Sequence, residues 1–137
     1  IGTSFVTAWC GVYEPATGDV RFAAAGHPIP LLHRASSQMT ETLDDVGGIP
    51  LGVLDRVGSR EGVVNLRNGD TLLLYTDGVS ESMSPARELF GERRIRNVLG
   101  MGFPPEALIE GLKAELLVHQ AGTRPSDDQT IVALRRE

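Results

Sequence analysis

The order of strand-like and helix-like segments limits the fold more than any other feature of this sequence. Segments rich in β-branched and aromatic residues occupy the part up to Tyr75, and helical periodicity begins after it. One more strand-like segment follows at residues 129–134. Strands that come early and helices that come late favour an α+β fold with largely antiparallel pairing.

The predicted strands are short and separated by turn residues. Residues 4–13 carry apolar side chains on both faces, which predicts a strand buried between layers. A Pro- and Gly-containing turn joins it to the next strand as a hairpin, and Asn68-Gly69 predicts a second hairpin. The predicted strands are residues 4–13, 20–25, 31–33, a short one near Thr42, 63–66, 71–75 and 129–134.

Three helical segments are predicted, at residues 79–83, 92–99 and 105–119. The last has the clearest periodicity, because Leu108, Leu112 and Leu116 lie on one stripe and charged residues lie opposite. Pro105 near its start and Gly122 after its end fit the chemistry of helix boundaries.

Composition excludes several classes of protein. With 137 residues, 41% hydrophobic and 23% charged, the chain is predicted to form a single globular domain over residues 1–137. A net charge of −5 without a long basic run argues against nucleic-acid binding. The absence of an apolar stretch of roughly 18 residues argues against a membrane span. A lone cysteine, Cys10, excludes an internal disulfide and is expected to be a buried, inert thiol. A reducing, cytoplasmic location fits best, and the oligomeric state is open.

One candidate for chemistry is Asp77, which directly follows the apolar strand 71–75. A carboxylate there sits at a sheet end on a rigid element, and Gly78 would let backbone or a ligand approach closely. Taken alone, the pattern favours the alternative, an aspartate that caps the next helical turn through its side chain.

A second candidate is the adjacent pair Asp127 and Asp128, which precedes the last apolar strand. Neighbouring carboxylates repel each other unless a cation or base lies near them. Hard divalent cations such as Mg²⁺ and Mn²⁺ prefer oxygen ligands of this kind. An exposed acidic turn without a ligand remains the alternative for this motif in isolation.

The ordered set of motifs is more specific than its parts. It resembles the SpoIIE/RsbU branch of the metal-dependent, type two-C (PPM) serine/threonine protein phosphatases, over about residues 5–132. The matching motifs are Phe5-Val6-Thr7, Ala25-Gly26-His27-Pro28, Gly48-Ile49-Pro50-Leu51-Gly52, Gly69-Asp70, Tyr75-Thr76-Asp77-Gly78-Val79-Ser80-Glu81, Phe90-Gly91 and Asp127-Asp128-Gln129-Thr130.

The resemblance implies an antiparallel β-sandwich flanked by helices, with two Mn²⁺ or Mg²⁺ ions at one edge. Asp77 matches the family's metal-binding aspartate and Asp127 the ligand of the Asp-Asp motif, so both are assigned catalytic and metal-binding roles. Asp128 stands where the family has a supporting acid or amide, and Gly78 is grouped with the same metal site. The implied activity is metal-assisted hydrolysis of phosphoserine or phosphothreonine on a regulatory protein, such as an anti-sigma-factor antagonist.

The chain departs from the family in one respect. The family carries a further acidic segment, usually Asp followed by Ser-Gly-His-Gly, and no such segment occurs here. The chain, which opens without Met, is therefore interpreted as the carboxy-terminal portion of a phosphatase domain, incomplete at its N-terminus. Weak metal affinity and low activity are expected of it alone. The alternatives are a catalytically inactive, phosphatase-like protein-binding module and a small acidic fold with capping aspartates only.

Overall fold

The computed structural model describes residues 4–56, 58 and 60–137. Its elements, in chain order, are β1 (Ala8–Glu14), β2 (Asp19–Ala25), β3 (Leu31–Arg34), β4 (Met39–Thr42), β5 (Gly62–Asn65), β6 (Thr71–Tyr75), α1 (Asp77–Ser80), α2 (Gly91–Leu99), α3 (Pro105–Gln120) and β7 (Ile131–Arg135). All pairs of these named strands are antiparallel. The predicted α+β class with antiparallel sheets is confirmed.

The chain divides into two compact units. The first comprises the residues up to Ile29 together with Leu43–Arg67. Its three-stranded sheet has the order β1-β2-β5, and the predicted hairpin of β1 and β2 is present, with Glu14 opposite Asp19. Trp9 and Phe22 stack with their ring centroids 5.6 Å apart.

The second unit comprises Pro30–Thr42 and Asn68–Glu137 and contains all three helices and every candidate site residue. Its four-stranded sheet has the order β4-β3-β6-β7. The predicted stripe of α3 is confirmed, because Leu108, Leu112 and Leu116 are buried in a core with strand and helix residues. The other members of that core are Leu31, Leu73, Tyr75, Val79, Phe90, Ile95, Val98 and Leu99.

The hairpin predicted at Asn68-Gly69 is wrong. Both strands exist, but β5 pairs with β2, whereas β6 pairs with β3 and β7. Of the two turn residues only Gly69 has a positive φ, of 87°, and a two-residue hairpin turn of the Asn-Gly type requires positive φ at both. The buried Asp70 carboxylate instead accepts hydrogen bonds from Ala35 N (2.9 Å) and Arg34 Nη1 (2.8 Å), which ties this turn to the β3–β4 connection.

The first strand is less buried than its composition predicts. It begins at Ala8 instead of residue 4 and lies at the edge of its sheet, where it pairs with β2. Val12 is 68% exposed and Cys10 is also exposed, so the expectation of a buried strand with a buried thiol is wrong. Apolar composition on both faces indicated two covered faces, but an edge strand of a small sheet leaves side chains in solvent.

None of the helices in the described part of the chain is long and apolar enough to cross a membrane. The assignment of residues 1–137 to a single domain stays a prediction.

Candidate active site

Asp77 is placed by the abrupt change from strand β6 to helix α1. Leu72, Leu73 and Tyr75 are buried in β6, and the chain turns into helix within two residues of Tyr75. Burial raises the pKa of the Tyr75 hydroxyl, and the Glu92 carboxylate raises it further. The buried strand β6 therefore positions the Asp77 carboxylate at the surface.

The side chain of Asp77 is exposed at the first turn of α1. The N-cap residue is Thr76, and no side chain caps this helix by a hydrogen bond. The alternative in which Asp77 caps the helix through its own side chain is therefore wrong. Within the described ranges, the Asp77 carboxylate has no hydrogen-bond or ion-pair partner, which leaves its oxygens available to a ligand.

The loop before β7 is fastened to this turn by Thr76. Strand β7 pairs with β6, with Ile131 opposite Tyr75, so residues 127–130 run beside residues 76–78. Thr76 N donates to Thr130 O (3.1 Å), and Thr130 N donates to Thr76 Oγ1 (3.0 Å). The Thr76 hydroxyl also donates to Asp128 O at 3.4 Å. These bonds hold the Asp127-Asp128 segment at the same sheet end as Asp77.

Gly78 lies where the two segments touch. A Cβ built on Gly78 would overlap Asp128 O and would lie 3.0 Å from the Asp128 carbonyl carbon and 3.4 Å from Asp127 O. The predicted close approach of backbone to Gly78 is thus present, and the neighbour is the Asp127-Asp128 loop. Gln129 Nε2 adds a hydrogen bond to Gly78 O at 3.2 Å.

Asp127 and Asp128 are both exposed. Asp128 N donates to Asp127 Oδ1 at 2.8 Å, which engages one oxygen of the Asp127 carboxylate. An open cavity of about 540 Å³ lies along this loop, lined by Arg124, Ser126, Asp127, Asp128 and Gln129 among others. The loop therefore presents carboxylates to a space large enough for a small ligand and water.

The donor chemistry fits a hard divalent cation, since carboxylate oxygens are available from two segments held at one sheet end. However, no group of three His, Cys, Asp or Glu side chains that could hold a metal occurs in the described residues. Ions such as Mg²⁺ are commonly bound by one or two carboxylates and several waters. Asp77 and Asp127 fit a site of that incomplete kind. The metal-binding and catalytic roles of Asp77, Gly78, Asp127 and Asp128 stay predictions.

Sequence reasoning missed the residues that hold the site together. Thr76 and Gln129 stand inside the matched motifs but were assigned no role. Their polar side chains next to Gly78 and the aspartates were the available signal, but their hydrogen bonds depend on the pairing of β6 with β7.

Comparison with known proteins defines the class of this chain. The fold is that of PP2C phosphatase domains. The chain matches the family model of stage II sporulation protein E (SpoIIE) over residues 1–137 and belongs to that family. The predicted resemblance to SpoIIE/RsbU-type phosphatases is confirmed.

Individual relatives agree with this assignment. The chain is 29% identical to Protein IcfG of Synechocystis sp. over 134 residues, which cover 96% of this chain and 21% of IcfG. It is 28% identical to the structure of the RsbU and RsbW domains of Rv1364c from Mycobacterium tuberculosis, with a TM-score of 0.69 over 95% of this chain and 36% of that one. The phosphatase domain of the Bacillus subtilis cell fate determinant SpoIIE, in a Mn-presoaked form, is 15% identical, with a TM-score of 0.70 over 94% of this chain and 56% of that one. This last likeness shows the fold alone. The chain thus spans about a fifth of the length of IcfG, about a third of the Rv1364c chain and little more than half of the SpoIIE chain.

Proposed function

We propose that this chain is part of a metal-dependent phosphatase that hydrolyses phosphoserine or phosphothreonine on a regulatory protein. The observation that carries the proposal is the joining of two aspartate-bearing segments at one sheet end by the Thr76–Thr130 hydrogen bonds. Membership of the SpoIIE family supports it, because PP2C phosphatase domains share this fold. A substrate of the anti-sigma-factor antagonist type, a cytoplasmic location and the absence of nucleic-acid or membrane partners rest on the sequence alone.

The residues of this chain would act by binding and orienting. Asp77 and Asp127 would hold Mn²⁺ or Mg²⁺, and Asp128 would support Asp127 through its backbone N–H. When bound, such ions lower the pKa of a coordinated water and offset charge on phosphoryl oxygens. Thr76 and Gln129 fix the two segments relative to each other, so the carboxylates need little rearrangement on binding. No protein nucleophile is required.

Mn²⁺ is the ion to test first, because the phosphatase domain of Bacillus subtilis SpoIIE was studied in a Mn-presoaked form; Mg²⁺ is the alternative. Two carboxylates provide few ligands for two ions, so we expect residues 1–137 alone to bind metal weakly and to turn over slowly or not at all. The full-length protein is therefore the appropriate subject of an activity assay.

The full-length protein is expected to release inorganic phosphate from a phosphoserine- or phosphothreonine-bearing regulatory protein in the presence of Mn²⁺, and to stop when the metal is chelated. The measurement is phosphate release over time, with binding of the same phosphoprotein measured in parallel. Binding without phosphate release would contradict the enzyme and favour an inactive, phosphatase-like binding module. Phosphate release that persists in excess chelator would contradict the dependence on metal.

A further inference from the structure

A short ordered loop between α1 and α2 holds Arg87 in a strained backbone conformation. The loop closes through the Met83–Leu89 bridge and the hydrogen bond from Ser84 N to Glu88 O (2.9 Å). At its tip, Arg87 N donates to Ser84 O (2.9 Å), and Arg87 has a φ of 65°, in the left-handed region that non-glycine residues rarely adopt. Strain of this kind persists only where the surroundings enforce it, and it concentrates at functional sites.

The base of this loop is firmly anchored. Ser82 is buried, its hydroxyl accepts a hydrogen bond from Gln120 Nε2 at 2.8 Å, and Phe90 N donates to Ser82 O at 2.7 Å. The backbone of the tip that carries Arg87 is therefore held by a buried, hydrogen-bonded base.

Arg87 and Arg124 line one cavity beside the candidate active site. The cavity has a volume of about 440 Å³, and its other lining residues are Met83, Ser84, Pro85, Thr123 and Ser126, three of which bear a hydroxyl group. Arg124 also lines the cavity that contains Asp127 and Asp128. The two cavities thus share Arg124 and Ser126, which connects the arginines to the carboxylate loop.

Neither guanidinium forms an ion pair with another described residue. In the described ranges of the chain, Arg87 and Arg124 have no side-chain hydrogen bond or ion pair, whereas Arg94 and Arg96 on the neighbouring helix α2 are both engaged. Arg96 pairs with Glu92 at 2.6 Å. Glu88, the neighbour of Arg87 in sequence, pairs with Arg94 at 3.8 Å. Two guanidinium groups without an ion-pair partner and three hydroxyl-bearing residues therefore line one cavity.

We propose that Arg87 and Arg124 form an anion-binding site that holds the negatively charged segment of a phosphoprotein substrate beside Asp77 and Asp127. The proposal rests on the phosphatase function proposed above. Guanidinium groups suit oxyanions because their planar array of donors can make two parallel hydrogen bonds. The shared chemistry is an oxyanion, which the substrate can supply either as the phosphoryl group or as Asp and Glu side chains that flank it.

The test measures the affinity of fluorescently labelled peptides for the 137-residue chain by anisotropy in the presence of Mn²⁺. The 137-residue chain is used because its expected slow turnover leaves the peptides intact during the measurement. Four peptides share one sequence: phosphoserine with acidic flanking residues, phosphoserine with Gln in their place, serine with acidic flanking residues, and serine with Gln. The variants are Arg87→Gly, Arg124→Ala and both together. Arg93→Ala is the matched control, since Arg93 is exposed on α2 and lines neither cavity.

We expect each single variant to weaken binding of the acidic phosphopeptide roughly three- to tenfold, the double variant to weaken it further, and Arg93→Ala to leave it unchanged. Arg124→Lys should recover part of the affinity, because the charge remains. If the variants weaken binding only of the phosphorylated peptides, the arginines contact the phosphoryl group. If they weaken binding of every peptide with acidic flanks, phosphorylated or not, the arginines contact carboxylates. Arg87→Gly should melt no lower than the wild type, since glycine adopts the positive φ without strain.

The proposal is overturned if the double variant binds all four peptides as the wild type does, if Arg93→Ala weakens binding equally, or if the wild type binds none of them. These failures are separate from failure of the phosphatase function. Phosphate release by the full-length protein together with unchanged peptide affinity would overturn the anion site alone. Arginine-dependent affinity without any phosphate release would overturn hydrolysis and leave the anion site standing.

Discussion

Replacing Asp77 by asparagine in the full-length protein is expected to lower kcat for phosphoprotein hydrolysis by on the order of 10²–10³-fold, and Asp127→Asn by a similar factor. Each change removes a negative charge from the two segments that would hold the metal but preserves the shape of the side chain. A bound metal would contribute several kcal/mol of transition-state stabilisation, so impaired metal binding should reduce turnover by this order. The measurement is steady-state phosphate release in saturating Mn²⁺.

Glu106→Gln provides the control for a change of charge. Glu106 is exposed in the first turn of α3, and the same neutralisation there should leave kcat unchanged. Because Asp77 is exposed and makes no hydrogen bond within the described residues, Asp77→Asn should also leave the free energy of unfolding nearly unchanged. Full activity of Asp77→Asn would contradict the assigned role, and a large loss of stability would make Asp77 a structural residue.

Replacing Gly78 by alanine is expected to lower the free energy of unfolding by about 1–3 kcal/mol and to impair metal binding at the same time. The added methyl group would overlap Asp128 O, and all the nearest atoms belong to backbone, so no flexible side chain can move away. Relief of the overlap requires the Asp127-Asp128 loop to shift. That shift strains the hydrogen bonds from Thr76 and Gln129 that position the loop.

Urea denaturation of the 137-residue chain measures the free energy of unfolding. Titration of the same sample with Mn²⁺ measures metal binding. Gly58→Ala is the matched control, because a Cβ at Gly58 meets no atom of the described residues within 4 Å and its φ is not in the positive range. We expect that variant to lie within about 0.5 kcal/mol of the wild type. Wild-type stability and metal binding in Gly78→Ala would show that the contact between the two segments is dispensable.

Periodicity and turn chemistry predicted most individual elements. The stripe of Leu108, Leu112 and Leu116 gave helix α3 almost to its ends, since burial of one helical face imposes a spacing that local sequence reveals. The same reasoning failed at Asn68-Gly69. The local turn signal predicted that β5 and β6 pair with each other, but β5 pairs with β2 and β6 with β7. Strand pairing is decided by contacts distant in sequence, which a local pattern does not specify.

In the candidate site, too, local motifs predicted the individual residues but not how they come together. Asp77 and Asp127 were found from short motifs because each stands beside an apolar strand. That their segments adjoin depends on β7 pairing with β6 and on the Thr76 bonds, which no spacing in the sequence expresses. Arg87 and Arg124 gave no signal, since they are single basic residues in loops and share a cavity only after folding.

The most direct test of the account is a calorimetric titration of the 137-residue chain with Mn²⁺, together with Asp77→Asn and Asp127→Asn. We expect weak binding by the wild-type chain and a loss of the binding heat in both variants. Binding that is unchanged in Asp77→Asn and Asp127→Asn would contradict the central claim that these two segments form the metal site.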